Sequence, residues 1–173
     1  MQGEAMADRT LELILYVAKH SSKKTVYWVL KAIYFADQQH LVQFGRRLHD
    51  DSYVAMEDGP VASHAYDLFK NVKFERRNRR DYSISKGQFD VDQDTIVPLR
   101  DPDLRVLSKS EISCLDQAIK TTSKLSFKKL RDLSHDAAWK AASTNRFMDI
   151  EDIVKATDGG ADAWPYLQER MLA

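Results

Sequence analysis

The chain has 173 residues, of which 43% are hydrophobic and 10% aromatic, and its mean hydropathy is -0.49. This composition is that of an ordinary globular domain, and it excludes a chain that is disordered throughout. Basic and acidic residues number 26 each, so no global field directs the protein to nucleic acid or to an acidic membrane. We expect one domain spanning residues 1–173.

Cysteine content and apolar runs indicate a cytoplasmic protein. Cys114 is the only cysteine, so the chain can form no intrachain disulfide and no cysteine-based metal site. The N-terminal segment 1–9 carries acidic residues and lacks the apolar stretch of a secretory signal. Nowhere do about 18 apolar residues run together, so we expect no membrane-spanning helix.

The first third of the chain predicts two helices. Apolar residues at helical spacing favour one helix from about Met6 to His20 and a longer one from Thr25 to Phe44. The second is apolar on nearly all sides in its first half, which predicts a central position. Gly45 is placed to be its left-handed C-terminal cap.

A short segment with strand character, 52–56, precedes the sequence Asp58-Gly59-Pro60. Because proline is tolerated in the first turn of a helix, we predict a third helix from Pro60 to about Val72. Apolar residues then recur at short, alternating intervals, which predicts a small β-hairpin or meander over 82–100.

The second half of the chain is predicted to be helical. Ser108 and Glu111 form a capping box before a helix over 109–123. Side chains placed to start further helices are Ser126, Asp136 and Asp149, and a last helix is predicted over 161–172. The expected fold class is mainly α with a small β-hairpin or meander, that is, α+β.

A metal site is one functional alternative. The side chains of His40, His49, Asp51 and His64 could converge if the loop folded over the second helix, giving the open metal site of a hydrolase. The structural alternative is that His49 and Asp50 are solvated and that His64 makes a single hydrogen bond. No spaced metal-ligand motif and no glycine-rich nucleotide loop occurs.

A dense basic run is a second candidate. It consists of Lys73, Arg76, Arg77, Arg79 and Arg80, with Phe74 and Tyr82 beside it. Such a run can contact the phosphates of a nucleic acid, as in a phage-derived nucleic-acid-associated protein, or an acidic patch on a protein. Because Glu75 and Asp81 lie within it, a solvated charged loop is the alternative.

The predicted second helix carries four aromatic residues that we expect in the core: Tyr27, Trp28, Tyr34 and Phe35. Their polar tips and the carboxylates nearby need hydrogen-bond partners. We expect Asp37 or Asp51 to tie the loop from Tyr53 to Pro60 to this helix, which is a structural role.

Two blocks of sequence carry a resemblance to a known family. The first block is 33–37, 40–41, 44–46, 51–55, 59–61 and 66–67, and the second is 125–126, 130, 133–135 and 138–139. In this order and spacing the blocks resemble the SocA-like family, also called the Panacea antitoxin domain and long grouped with phage-associated proteins of GepA type. The resemblance covers about residues 10 to 140.

The resemblance implies a mostly helical domain that neutralises a toxin encoded beside it. In one branch, members act as adaptors that deliver the toxin to a ClpXP-type protease. Family members are not regarded as enzymes, and the resemblance implies no cofactor and no metal. The chain departs from the family at His49-Asp50-Asp51, where a Gly-Asp pair is common.

The resemblance and the motif density together give the expected site. The first choice for contact with the partner is Asp51, Tyr53, Gly59, Pro60 and Tyr66, and the second is Arg76, Arg77 and Arg79. Structural roles are expected for Tyr34, Asp37, His40, Gly45, His135 and Trp139.

Overall fold

The computed structural model describes residues 8–173. Its helices are α1 (Arg9–His20), α2 (Val26–Phe44), α3 (Ser63–Lys73), α4 (Tyr82–Ser85), α5 (Lys109–Thr122), α6 (Phe127–Ser134), α7 (Ala137–Ala141), α8 (Ile150–Lys155) and α9 (Gly160–Leu172). Its strands are β1 (Tyr53–Met56), β2 (Gly59–Ala62), β3 (Phe89–Asp92) and β4 (Thr95–Pro98). The predicted class, mainly α with a small β component, is confirmed.

Helices α1 and α2 form the centre of the fold. Thr10 to Ala18 of α1 are all buried, and α2 buries residues on every side, as the sequence predicted for a central helix. The most extensive helix packing is between α2 and α5. The predicted start of the first helix at Met6 lies outside the described residues.

Caps fix the ends of the helices where the sequence placed them. Gly45 ends α2 in the left-handed conformation, with φ 69°. Ser108 and Glu111 form both hydrogen bonds of the capping box at the start of α5. The side chains of Ser126, Asp136 and Asp149 each accept a backbone N–H bond at the starts of α6, α7 and α8. These predictions are confirmed.

Two antiparallel hairpins stand beside the helices. In the first, Tyr53 lies opposite Ala62 and Met56 opposite Gly59. The predicted strand at 52–56 is therefore confirmed, but the helix predicted from Pro60 was wrong in its start, because Pro60 pairs with β1 and α3 begins only at Ser63.

The second hairpin pairs β3 with β4, with Phe89 opposite Pro98. The predicted β segment was too long at its beginning, because Tyr82–Ser85 forms a helical turn that packs on α3. Gly87, with φ 75°, separates this turn from β3. A bridge between Thr25 and Thr95 attaches the hairpin to the start of α2.

Cys114 is buried in α5. Of the four aromatic residues expected in the core, Tyr34 is fully buried, whereas Tyr27, Trp28 and Phe35 are half-buried. None of the helices within residues 8–173 is both long enough and apolar enough to cross a membrane.

Candidate functional site

A cleft of about 520 Å³ opens where the starts of α1 and α3 meet the loop before β1. Its lining is polar and titratable except for one aromatic ring: Asp8, Arg9, Thr10, His49, Asp50, Asp51, Ser52, Ser63, His64, Asp67 and Phe147. Three of the four residues of the hypothetical metal site lie here. The cleft therefore brings together residues from both helix starts and from the loop before β1 (residues 46–52), which we call the motif loop.

Asp8 and His64 join the two helix starts across the cleft. The Asp8 carboxylate caps α1 by accepting a bond of 2.9 Å from the Leu11 amide, and His64 Nε2 lies 2.9 Å from its other oxygen. Burial opposes ionisation of Asp8, but the bonds from His64 and Leu11 outweigh it and lower the Asp8 pKa. The hydrogen bond to Asp8 raises the pKa of His64. The pair is thus a partly buried ion pair.

Asp51 ties the motif loop to α3. Its carboxylate accepts the backbone N–H bonds of Ser52 at 2.7 Å and of His64 and Ala65 at 2.9 Å each. Helix α3 has no capping side chain of its own at Ala62, so Asp51 supplies the missing acceptor from outside the helix. Only 8% of Asp51 is exposed, and its role in the cleft wall is structural.

Asp37 of α2 anchors the same loop from beneath. Its carboxylate accepts from the Leu48 amide at 2.7 Å, from Arg47 at 2.8 Å and from the Tyr53 hydroxyl at 2.9 Å. The expectation that Asp37 or Asp51 fastens this loop to α2 is confirmed for Asp37. Tyr53 is 2% exposed, so its ring and hydroxyl support the cleft from within.

His49 forms the floor of the cleft. Its ring nitrogens lie 2.9 Å from Thr10 Oγ1 and 3.1 Å from the Tyr53 hydroxyl. Burial lowers the pKa of His49, which favours the neutral imidazole. Both nitrogens are engaged inside the protein, so His49 holds the loop to α1.

His40 lies apart from the other three residues of the hypothetical metal site. Its ring bonds to the Arg46 carbonyl at 2.7 Å and to Ser110 Oγ at 2.9 Å, which ties the end of α2 to α5. Within residues 8–173 no group of three or more His, Cys, Asp or Glu side chains is placed to hold a metal ion. The alternative of a converging metal site is therefore not found among these residues, because His40 on α2 and the cleft residues contact different neighbours.

The exposed groups of the cleft are Asp50, Ser52 and Phe147. Phe147 is 68% exposed although its backbone is held firmly: the segment 145–148 pairs with the outer edge of β1. The Ala55 amide donates to the Arg146 carbonyl at 3.0 Å, and the Met148 amide donates to the Tyr53 carbonyl at 2.8 Å. Phe147 was not predicted, because the sequence shows it only as a single aromatic residue in a polar, non-periodic stretch.

The basic run forms the loop that follows α3, here called the basic loop (residues 74–80). Asp67 lines the cleft and also lies within 3.7 Å of Arg76 and 3.8 Å of Arg79. Arg77 pairs with Glu75 at 3.1 Å, and both are exposed. Asp67 thus connects the cleft to the basic loop, and we call the two together the docking face.

Tyr66 lies on α3 between the cleft and the basic loop and is half-buried. Its ring stacks on Phe69 with centroids 6.2 Å apart, and Lys70 Nζ lies 4.6 Å from the ring centre. Of the residues proposed for partner binding, Tyr66 therefore lies on α3 and the three arginines follow its end. The others lie before β1 or in the first hairpin: Asp51, Tyr53, Gly59 and Pro60.

Gly59 and Pro60 of β2 are buried and do not line the cleft. Gly59 has φ 113°, and a Cβ there would overlap Ser134 Oγ and lie 2.9 Å from Lys31 Nζ, so only glycine fits. Lys31 Nζ donates to the Pro60 carbonyl at 2.7 Å. Burial lowers the pKa of Lys31 to about 7.

The second motif block holds the turn of this hairpin. Trp139 Nε1 donates to the Met56 carbonyl at 2.8 Å, and His135 Nε2 donates to the Glu57 carbonyl at 3.1 Å. The two rings stack with centroids 3.6 Å apart. Arg131 Nε bonds to the Asp58 carboxylate at 2.9 Å. We call these contacts, with Gly59, Pro60 and Lys31, the hairpin clamp.

Tyr34 fastens the clamp to α2. Its hydroxyl donates to Asp136 at 2.8 Å, and the same carboxylate caps α7 through the Trp139 amide at 2.9 Å. Burial and the Asp136 charge raise the pKa of Tyr34, so the hydroxyl stays protonated and keeps donating. The two sequence blocks therefore meet in one buried structure.

The geometry defines a mainly helical α+β protein in which buried polar contacts hold an exposed, polar and aromatic face. The family comparison agrees with this class: residues 29–140, more than half of the chain, match the model of the family described as antitoxin SocA-like, Panacea domain. The chain belongs to this family of antitoxin-like proteins. No curated protein and no solved structure matches the chain significantly.

Proposed function

We propose that this chain is a cytoplasmic antitoxin that neutralises a cognate toxin by binding it through the docking face. Membership of the antitoxin SocA-like family supports a toxin as the partner. The single observation that supports this face is Phe147, a ring that is 68% exposed on a segment whose backbone is paired to β1. An aromatic side chain on a rigid segment is typical of the anchor of a protein interface.

The surroundings of Phe147 suit such an anchor. Asp50 and Ser52 stand exposed beside it, and the arginines of the basic loop lie at the far end of the same face. Interfaces combine a buried aromatic centre with a polar rim that selects the partner. The cleft residues beneath already have their hydrogen-bond partners, so binding requires little reorganisation of the chain.

We propose a binding role without catalysis, because the titratable side chains of the hypothetical site are already engaged in contacts within the chain. His49, Asp51 and His64 are the cleft residues that belong to the hypothetical hydrolase site. Each is engaged with the backbone or with a neighbouring side chain of the frame. Their positions favour holding the loop and the two helix starts together.

Co-expression with the protein encoded beside this chain tests the proposal. We expect the wild-type chain to rescue growth from that toxin and Asp50→Lys/Phe147→Ser to lose rescue, because the exposed charge and the exposed ring of the cleft are removed. The matched control is Asp158→Lys/Tyr166→Ser, which changes an exposed carboxylate and an exposed ring outside the cleft. Equal rescue by all three proteins would contradict the docking face.

We further propose that the bound toxin is delivered to a ClpXP-type protease. The resemblance to adaptor members of the family supports this step. Simple occlusion predicts a stable stoichiometric complex with an unchanged toxin half-life, whereas delivery predicts a half-life that shortens only when both this chain and the protease are present. A pulse-chase measurement in cells with and without the protease distinguishes the two.

A further inference from the structure

A second exposed surface surrounds the turn between α5 and α6. Three aromatic residues form its centre: the ring centroid of Phe127 lies 4.7 Å from that of Tyr27 and 6.5 Å from that of Trp28. Phe127 is 45% exposed, and it begins α6. An exposed ring on a well-packed aromatic base offers an apolar contact to a partner.

Lysines lie close to these rings along the chain, at the end of α5, in the turn and at the start of α6, and Lys23 lies over Trp28. We call the whole surface the lysine patch. Its basic members are Lys23, Lys120, Lys124, Lys128 and Lys129. Between positions 117 and 131 the sequence has no acidic residue. Lys120, Lys124 and Lys129 form no ion pair with any residue from 8 to 173, and the exposed pair of Lys128 with Asp132 is of the kind that contributes little. Two carboxylates act on Tyr27, but Asp58 is paired with Arg131 and Asp132 with Lys128. The remaining lysines therefore give the patch a local positive field on a chain of zero net charge.

The aromatic geometry distinguishes between two classes of acidic partner. Single-stranded nucleic acid binds by stacking bases on free aromatic faces. Here Lys23 Nζ lies 4.6 Å from the Trp28 ring centre, and Lys31 Nζ lies 5.0 Å from that of Tyr27. The Trp28 indole N–H is also engaged, donating to the Thr122 carbonyl at 3.2 Å. Because two of the three rings are occupied, the patch favours carboxylates and one apolar side chain over bases.

The lysine patch lies at the other end of α1 from the cleft. Thr10 at the start of α1 lines the cleft, whereas Lys23 follows its last residue, His20, closely. A helix of this length spans roughly 18 Å. The two surfaces are therefore separate enough for two partners to bind at the same time.

We propose that the lysine patch is a second docking site, which binds an acidic polypeptide segment with an apolar side chain placed on Phe127. The lysine ammonium groups attract the carboxylates, and the Phe127 ring supplies the contact that fixes the register. This site is independent of the toxin bound at the docking face.

Fluorescence anisotropy with defined probes tests the proposal. The first probe is a labelled 12-residue peptide of Asp, Glu and Gly with a central Leu, the second replaces Leu by Ser, and the third is an oligothymidylate of equal net charge. We expect the Leu peptide to bind most tightly, and Lys124→Glu/Lys129→Glu to weaken its binding about fivefold or more. Phe127→Ser should weaken the binding of the Leu peptide about threefold and leave the binding of the Ser peptide unchanged.

A matched charge reversal serves as the control. Lys86→Glu/Lys109→Glu changes the net charge equally at two exposed lysines outside the patch and should weaken binding less than about twofold. Tighter binding of the oligothymidylate than of the Leu peptide would overturn the proposal in favour of nucleic acid. Equal weakening by both double variants, or no binding of the Leu peptide at low salt, would also overturn it.

Discussion

The hairpin clamp and the docking face differ in how their residues are used. In the clamp, motif residues such as Gly59, Pro60 and Tyr34 are buried and fully engaged with the chain. In the docking face, exposed groups such as Asp50, Ser52 and Phe147 are available to a partner. The difference teaches that dense sequence motifs in this fold build the frame, whereas contact with a partner is left to less conspicuous residues on that frame.

The largest effect is expected at Gly59. Gly59→Ala combines an unfavourable positive φ with overlap on Ser134 and Lys31, which should lower the free energy of unfolding by roughly 3–4 kcal/mol. Gly87→Ala is the control: its φ is 75° but nothing lies within 4 Å of the added Cβ, so about 1 kcal/mol is expected. Urea denaturation measures both. Equal losses would show that the clamp is not tightly packed.

Asp37→Ala should lower the free energy of unfolding by about 3 kcal/mol, because it leaves Arg47, the Tyr53 hydroxyl and the Leu48 amide without their acceptor. Asp50→Ala removes an exposed carboxylate from the same loop and should change stability by less than about 0.5 kcal/mol. The comparison is again made by urea denaturation. A loss at Asp50 as large as that at Asp37 would contradict the distinction between frame and face.

Lys31 makes the stability of the clamp depend on pH. Its folded pKa of about 7 lies below the value in the unfolded chain, so between pH 7 and pH 9 the unfolded chain binds more protons and stability rises with pH. The deprotonation of Lys31 should raise the free energy of unfolding by roughly 2 kcal/mol between pH 7 and pH 9. Lys31→Met should abolish the rise, which denaturation at pH 7 and pH 9 measures. A rise that persists in the variant would assign it to another group.

The smallest effect is expected in the basic loop. Arg77→Glu/Arg79→Glu should leave stability within about 0.5 kcal/mol, because both side chains are exposed and their pairs are weak. Association with the toxin should slow several-fold at low salt and recover at high salt, since rim charges mainly steer encounter. Stopped-flow measurements test this. If high salt did not restore the association rate, the arginines would belong to the centre of the interface.

Local signals predicted most of the fold. The capping box at Ser108 and the left-handed cap at Gly45 depend on neighbouring residues, and both were predicted. Strand β2 was missed because Pro60 and its neighbours also suit a helix start. Their strand conformation depends on pairing with the neighbouring strand β1 and on the bond from Lys31, which is distant along the chain.

The site was less predictable for the same reason. Asp51 and Tyr53 were selected by motif density, but their burial follows from Asp37 and the start of α3, which the sequence does not place. Phe147 lies far along the chain and reaches the cleft only because its segment pairs with β1. Its exposure depends on that pairing, and no local pattern reports it.

Titration calorimetry with the toxin encoded beside this chain tests the central claim most directly. The claim is that the exposed residues of the docking face bind the toxin while the buried motifs only support them. Asp50→Lys/Phe147→Ser should keep the wild-type unfolding curve and weaken binding at least about tenfold. Wild-type affinity in this folded variant would contradict the claim.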